Sequence, residues 1–172
     1  MNKCVFLDRD GVLNEDRSDY VYRVEDMVIP AGVAEGLRLL KEAGYLLIVV
    51  TNQAGIAKGL YTRDDVMRCH NYLQDCCGNL IDDIYYSPHH PDYTSRSLTR
   101  KPDSLMLEKA IAKYNIDVAH SWIFGDALRD MQAGKRVGVR TIYINHRIPN
   151  QPAVADKHAT DLLEASKLVL EQ

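Results

Sequence analysis

Asp8 and Asp10 stand two residues apart, where the apolar run Cys4-Val5-Phe6-Leu7 gives way to Arg9 and Gly11. Residues i and i+2 of a strand point to one face, so both carboxylates face the same way, and Gly11 lets the backbone turn sharply after them. Two carboxylates this close repel unless a cation lies between them, and a hard cation with oxygen ligands suits the pair, Mg²⁺ ahead of Ca²⁺. An exposed acidic turn is the plainer reading of a D-x-D step taken alone. Asp126 favours the metal: it follows the apolar run Trp122-Ile123-Phe124-Gly125 and is placed to be a third ligand. On a helix beginning near Ala127, Asp130 faces back toward the same strand ends. There it either orients neighbours from behind the ligands or is a first-turn acid favoured by the helix dipole.

A phosphate group would need donors and positive charge. Thr51 offers a hydroxyl, and Asn52, Gln53, Ala54 and Gly55 offer backbone N–H groups in a glycine-containing turn. Lys101, preceded by Arg100, can neutralise phosphoryl oxygens as charge builds up in a transition state.

The elements that must position these groups follow from the apolar pattern. Strand-length apolar runs alternate with helical patterns, which predicts an α/β protein with a doubly wound, Rossmann-like parallel sheet covered on both faces. Strands are expected at Cys4–Asp8, Tyr45–Val50, Ile81–Tyr86, Trp122–Gly125 and Arg140–Ile144. Helices are expected from Pro30 to Gly44, from Thr62, with Asp65 as its capping partner, to about Cys77, from Pro102 to about Tyr114, over Leu128–Arg136 and over Leu162–Leu170. In such folds ligands bind beyond the carboxyl ends of the strands, which is where Asp8, Thr51 and Asp126 fall.

The 172 residues suit one domain, residues 1–172, and neither a repeat nor a linker divides them. A formal net charge of −3 gives no reason to expect nucleic acid or an anionic membrane as partner. No apolar run approaches a bilayer span, and the N-terminus turns acidic too soon for a signal peptide, so a cytoplasmic location is expected. Cys4, Cys69, Cys76 and Cys77 form no C-x-x-C pair and are read as reduced, structural thiols.

Four segments resemble, in order and spacing, the motifs of the haloacid dehalogenase-like phosphatases. They are Phe6-Leu7-Asp8-Arg9-Asp10-Gly11-Val12-Leu13-Asn14, the run Val50-Thr51-Asn52-Gln53-Ala54-Gly55-Ile56-Ala57-Lys58-Gly59, Arg100-Lys101-Pro102, and Phe124-Gly125-Asp126-Ala127-Leu128-Arg129-Asp130. The second and third are similar to those of the histidinol-phosphate and heptose-1,7-bisphosphate phosphatase branch. The resemblance implies that Asp8 attacks phosphorus and also binds Mg²⁺, while Asp10 protonates the leaving alcohol and then activates water. It further implies that the Asp10 backbone carbonyl and Asp126 are metal ligands. Thr51 and Lys101 would hold the phosphoryl group and Arg100 the rest of the substrate, with Asp16, Tyr20 and Val21 on a segment lying over the site. The implied activity is magnesium-dependent hydrolysis of a small sugar phosphate, with the 7-phosphate of a heptose bisphosphate first. Histidinol phosphate is the alternative, and a polynucleotide 3′-phosphatase or a non-catalytic phosphate-binding relative comes after. The short spacing from Asp10 to Thr51 and Lys101 leaves no room for a large cap domain, and a monomer is expected.

The sequence departs from that pattern in three places. Many members of the branch carry a structural zinc on a C-x-H…C-x-C loop, where this chain has Ser87, His89, Ser97 and Thr99. Three hydroxyls and one imidazole make a poor zinc site, so a zinc-free loop held by Ser/Thr hydrogen bonds is expected. Ala127 stands where a lysine or another polar residue is usual, and Asp103-Ser104-Leu105-Met106 replaces the usual continuation after the Arg-Lys-Pro step.

Overall fold

The computed structural model describes residues 1–145 and 154–171. Six strands form one parallel sheet in the order β3-β2-β1-β4-β5-β6. They are β1 (Cys4–Leu7), β2 (Leu46–Asn52), β3 (Asp83–Ser87), β4 (Trp122–Gly125), β5 (Arg140–Ile144) and β6 (Lys157–Ala159). The helices are α1 (Val33–Glu42), α2 (Arg63–Cys76), α3 (Leu105–Tyr114), α4 (Leu128–Val137) and α5 (Leu162–Leu170).

The inner strands β1, β2 and β4 read as continuous apolar runs because both faces are covered. Val5, Leu7, Leu47, Val49, Trp122 and Phe124 point into one core with α1, α2 and α5. Their alternates Cys4, Phe6, Ile48, Val50 and Ile123 point into a second core with Met106, Leu107 and Ala110 of α3 and Ala133 of α4. Cys4, Cys69 and Cys77 are buried, Cys76 is exposed, and all four are unpaired. No described helix is long and apolar enough to cross a membrane.

The chain builds outward from β1 to β2 and β3, then returns to place β4 on the other side of β1. The β1–β4 junction is therefore the point where the winding reverses, and a crevice opens there beyond the strand ends. Asp8 follows β1 and Asp126 follows β4; the ladder reaches Asp8, whose N–H donates to Phe124 O at 3.0 Å. Among the described residues no folded cap is inserted between β1 and α1.

Several expected boundaries move, each for a local reason. The first helix starts at Val33 rather than Pro30, because Gly32 is left-handed (φ +87°) and packs 3.2 Å, at an ideal Cβ, from Leu163. The third starts at Leu105 rather than Pro102, because Asp103 N–H donates to Arg100 O and closes a separate turn. Strand β3 begins at Asp83 rather than Ile81, because the Gln74 amide takes both Ile81 backbone groups, at 2.8 and 3.2 Å. The Thr62–Asp65 capping pair forms as expected. The short edge strand β6 was not anticipated; Lys-His-Ala has neither apolar run nor alternation.

Candidate active site

Lys101 is buried at the floor of the crevice. Its Nζ donates to Val50 O at 2.7 Å and lies 3.0 Å from Asp8 Oδ1 and 2.6 Å from Asp130 Oδ1. Burial disfavours the ammonium, but Asp130 and Asp8 more than offset this, so its pKa lies above the ordinary lysine value. The backbone that carries Lys101 is held by Asn52, whose amide donates to Lys101 O and accepts from Lys101 N–H, each at 3.0 Å. Asn52, expected near the substrate, therefore spends its side chain on this loop.

Asp8, Asp126 and Asp130 can each present a carboxylate oxygen within 4.8 Å of the others. Burial and then the neighbouring charges push Asp8 up to about 8 and Asp126 up to about 7. Asp126 Oδ1 is buried without a hydrogen-bond partner. Crowded carboxylates with an orphaned oxygen and only hard donors fit a divalent cation of the Mg²⁺ type. Gly11 makes the approach of Asp126 feasible: it is left-handed (φ +84°), and a Cβ there would lie 1.9 Å from Asp126 Oδ2. Asp130 unites both roles considered for it. It accepts from Ala127 N–H at 3.1 Å at the start of α4 and, fully buried, pairs with Lys101.

The Asp10 carboxylate, expected to share a cation with Asp8, is not among those three and is taken up by neighbouring donors. It accepts from Arg9 Nε and Nη2, from Asn14 Nδ2 at 3.0 Å and from Gln53 Nε2 at 3.0 Å. Gln53 Nε2 also donates to Thr51 Oγ1 at 3.0 Å, and Gln53 Oε1 accepts from Tyr61 OH at 2.8 Å. The Gln53 side chain is thus a bridge between protein groups, and its backbone N–H donates to Ser87 O. Tyr61 lies over Gly55, where a Cβ would sit 2.0 Å from the ring, which explains the glycine. Burial pushes the Tyr61 hydroxyl up to about 12, so it remains a donor.

The covering segment divides. Asp16 lines a cavity of about 520 Å³ with Gly11, Glu15 and Asp126. Tyr20 is half-buried, with Lys58 Nζ 5.3 Å from its ring centroid. Val21 instead buries its side chain in the core and gives its carbonyl to Arg9 Nη2 at 2.6 Å. Arg100 donates to His89 O at 3.2 Å and borders a second cavity of about 460 Å³. The Ser87 and Thr99 hydroxyls are 2.9 Å apart, and those of Ser97 and Thr99 2.7 Å.

A family model described as HAD-hydrolase-like matches residues 98–166. The D-glycero-beta-D-manno-heptose-1,7-bisphosphate 7-phosphatase of Haemophilus ducreyi is 40% identical over 81% of this chain and 80% of its own. The chain belongs to the haloacid dehalogenase-like phosphatases, in the heptose-bisphosphate phosphatase branch. The alpha-anomer enzyme of Burkholderia mallei is 36% identical over 98% of the chain and 88% of its own length. In three dimensions, the D,D-heptose 1,7-bisphosphate phosphatase of B. bronchiseptica complexed with magnesium and phosphate matches with TM-score 0.88, 26% identity and 98% of each chain. The histidinol-phosphate alternative has no support among these relatives.

Asp8 and Asp126 meet in one crevice, as their strand-end positions imply, and Lys101 reaches it from the loop between β3 and α3. Sequence reasoning missed the Arg9 guanidinium, which bonds Asp10, and Tyr61, which bonds Gln53. Arg9 carried one signal, a cation between two acids; Tyr61 carried none.

Proposed function

We propose that this protein is a Mg²⁺-dependent phosphomonoesterase that removes the 7-phosphate of D-glycero-D-manno-heptose 1,7-bisphosphate in the synthesis of nucleotide-activated heptose. The observation that carries the reaction type is Asp8 pinned by Lys101 beside Asp126. An Asp8 oxygen attacks phosphorus, the bond from phosphorus to the sugar oxygen breaks, and Asp10 gives that oxygen a proton. Asp10 then takes a proton from the water that attacks the aspartyl-phosphate, releasing inorganic phosphate and restoring Asp8. Asp8, Asp126 and the Asp10 carbonyl would hold Mg²⁺, which would supply charge stabilisation at the phosphoryl oxygens. Lys101 adds to that stabilisation from below. Thr51 Oγ1 already accepts from Gln53, so its own hydrogen is free for a phosphoryl oxygen.

The substrate assignment rests on relatives named for this bisphosphate. Asp16, Tyr20 and Arg100 are the sugar-side contacts in this reading; Asn52, Gln53 and Val21 act through the protein contacts described above. The chain works as a cytoplasmic, monomeric single-domain enzyme on a small molecule, with neither nucleic acid nor membrane as partner, in keeping with its net charge of −3. The loop before Arg100 is zinc-free, its hydroxyls bonded to one another; stoichiometric zinc in the purified protein would contradict this.

The test is ³¹P NMR of both heptose 1,7-bisphosphate anomers with and without Mg²⁺. The 7-phosphate resonance should vanish only with Mg²⁺, the 1-phosphate remaining. Loss of the 1-phosphate, or no turnover of either anomer, overturns the substrate assignment.

A further inference from the structure

Arg9 is fully buried, and the one carboxylate that its guanidinium pairs with among the described residues is Asp10. Nε and Nη2 lie 3.2 and 2.9 Å from Asp10 Oδ1, and Nη2 lies 3.1 Å from Oδ2. The same Nη2 donates to Val21 O at 2.6 Å. One guanidinium thus spans the Asp10 carboxylate and the end of the segment that carries Asp16 and Tyr20. A planar guanidinium is suited to hold such a geometry, since its donors are set in a rigid fork.

A second tie runs in parallel. Gln53 donates to Asp10 Oδ2 at 3.0 Å and accepts from Tyr61 OH at 2.8 Å. The Tyr61 ring stacks on Tyr22, with centroids 5.2 Å apart and an interplanar angle of 11°, and meets the edge of Tyr20 at 6.0 Å. Tyr20 is left-handed, with φ +69°, a conformation that a bulky residue adopts only where its surroundings hold it.

We infer that Arg9 and Tyr61 are positioning residues that set the Asp10 carboxylate and the Asp16–Val21 segment as one unit. The side chains act through Asp10 and Gln53; the Arg9 backbone N–H donates separately to Asp8 Oδ1 at 2.8 Å, a main-chain bond that a side-chain substitution leaves available. Each is bonded toward Asp10, Arg9 directly and Tyr61 through Gln53, and each also holds the segment, through Val21 O or the Tyr20 ring. Seating a sugar against that segment and aligning the proton donor are then a single event. This rests on the proposed role of Asp10 in proton transfer.

The test uses leaving groups that differ in their need for a proton. An alkoxide leaving from a sugar phosphate requires one, whereas 4-nitrophenolate does not. Single-turnover rates would be measured by rapid quench with Mg²⁺ for heptose 1,7-bisphosphate and 4-nitrophenyl phosphate, in wild type, Arg9→Met, Tyr61→Phe and Asp10→Asn. Arg9→Met should slow the sugar phosphate roughly 100-fold and the nitrophenolate burst by less than about threefold. Tyr61→Phe, which keeps the ring over Gly55 and both ring contacts, should show the same split at roughly fivefold. Equal losses on both substrates, or none on either, overturn the inference. If Arg9→Met does not fold, Tyr61→Phe decides. Should Asp10→Asn itself show no split, the proton-transfer reading of Asp10 fails; a split there without one in the other variants removes the positioning role alone.

Discussion

Lys101 Nζ stands 3.0 Å from Asp8 Oδ1, both groups buried. The ammonium holds the carboxylate at the strand end. Lys101→Met should lower kcat roughly 10²- to 10³-fold by removing charge stabilisation at the phosphoryl oxygens. It also leaves Asp8 and Asp130 without their shared cation, so the metal-free variant should lose about 3–5 kcal/mol of stability. Steady-state kinetics and urea unfolding check the two effects.

The acidic cluster makes metal-free stability fall as pH rises. Asp8 and Asp126 are raised to about 8 and about 7, above their ordinary carboxylate values. A folded state that keeps protons the unfolded chain releases is favoured below about pH 4 and loses that advantage up to about pH 8. Mg²⁺ replaces those protons, so its upward shift of Tm should be larger at pH 8 than at pH 5. Differential scanning fluorimetry with and without EDTA reads this directly.

His70 acts in the opposite direction. Burial, and then the Arg9 charge, push it down to about 3. The unfolded chain takes up a proton near the ordinary value of about 6.5 while the folded one resists. Its stabilising contribution is therefore present above about pH 6.5 and is lost as pH falls toward 3. His70→Phe should flatten the decline in stability over that window relative to wild type, measured by urea titration at a series of pH values.

Much of this fold was legible because burial on both faces leaves apolar runs in the strands and one-sided burial leaves helical spacing: β4 and β5 begin and end where the first indicates, and α5 where the second does. The boundaries that moved were decided by contacts that the apolar pattern does not encode, one distant in sequence, Leu163 against Gly32, and two near in it, Gln74 on Ile81 and Asp103 on Arg100. The same division holds at the site. Asp8, Thr51 and Asp126 are legible because chemistry at strand ends requires those types there, and Lys101 because the Arg-Lys-Pro step resembles a family motif. Arg9 and Tyr61 are not, since a buried arginine and a tyrosine beyond a turn acquire meaning only when the covering segment folds back over Asp10.

Gly11 offers a separate probe of the metal site. Gly11→Ala places a methyl where Asp126 Oδ2 now lies, at a left-handed φ of +84° that disfavours alanine. Asp126 must retreat, and Mg²⁺ affinity should fall by about 10- to 100-fold, as for other losses of ligand orientation. Isothermal titration with Mg²⁺ measures it.

The central claim is that Asp8 is the nucleophile, and its most direct measurement is acid-quench trapping with substrate carrying ³²P at the 7-position, in wild type and Asp8→Asn. Wild type with Mg²⁺ should retain label on the peptide containing Asp8 and release phosphate. Asp8→Asn should retain none and lose roughly 10⁴-fold or more in turnover. Label on another residue, or comparable turnover in Asp8→Asn, would contradict the account.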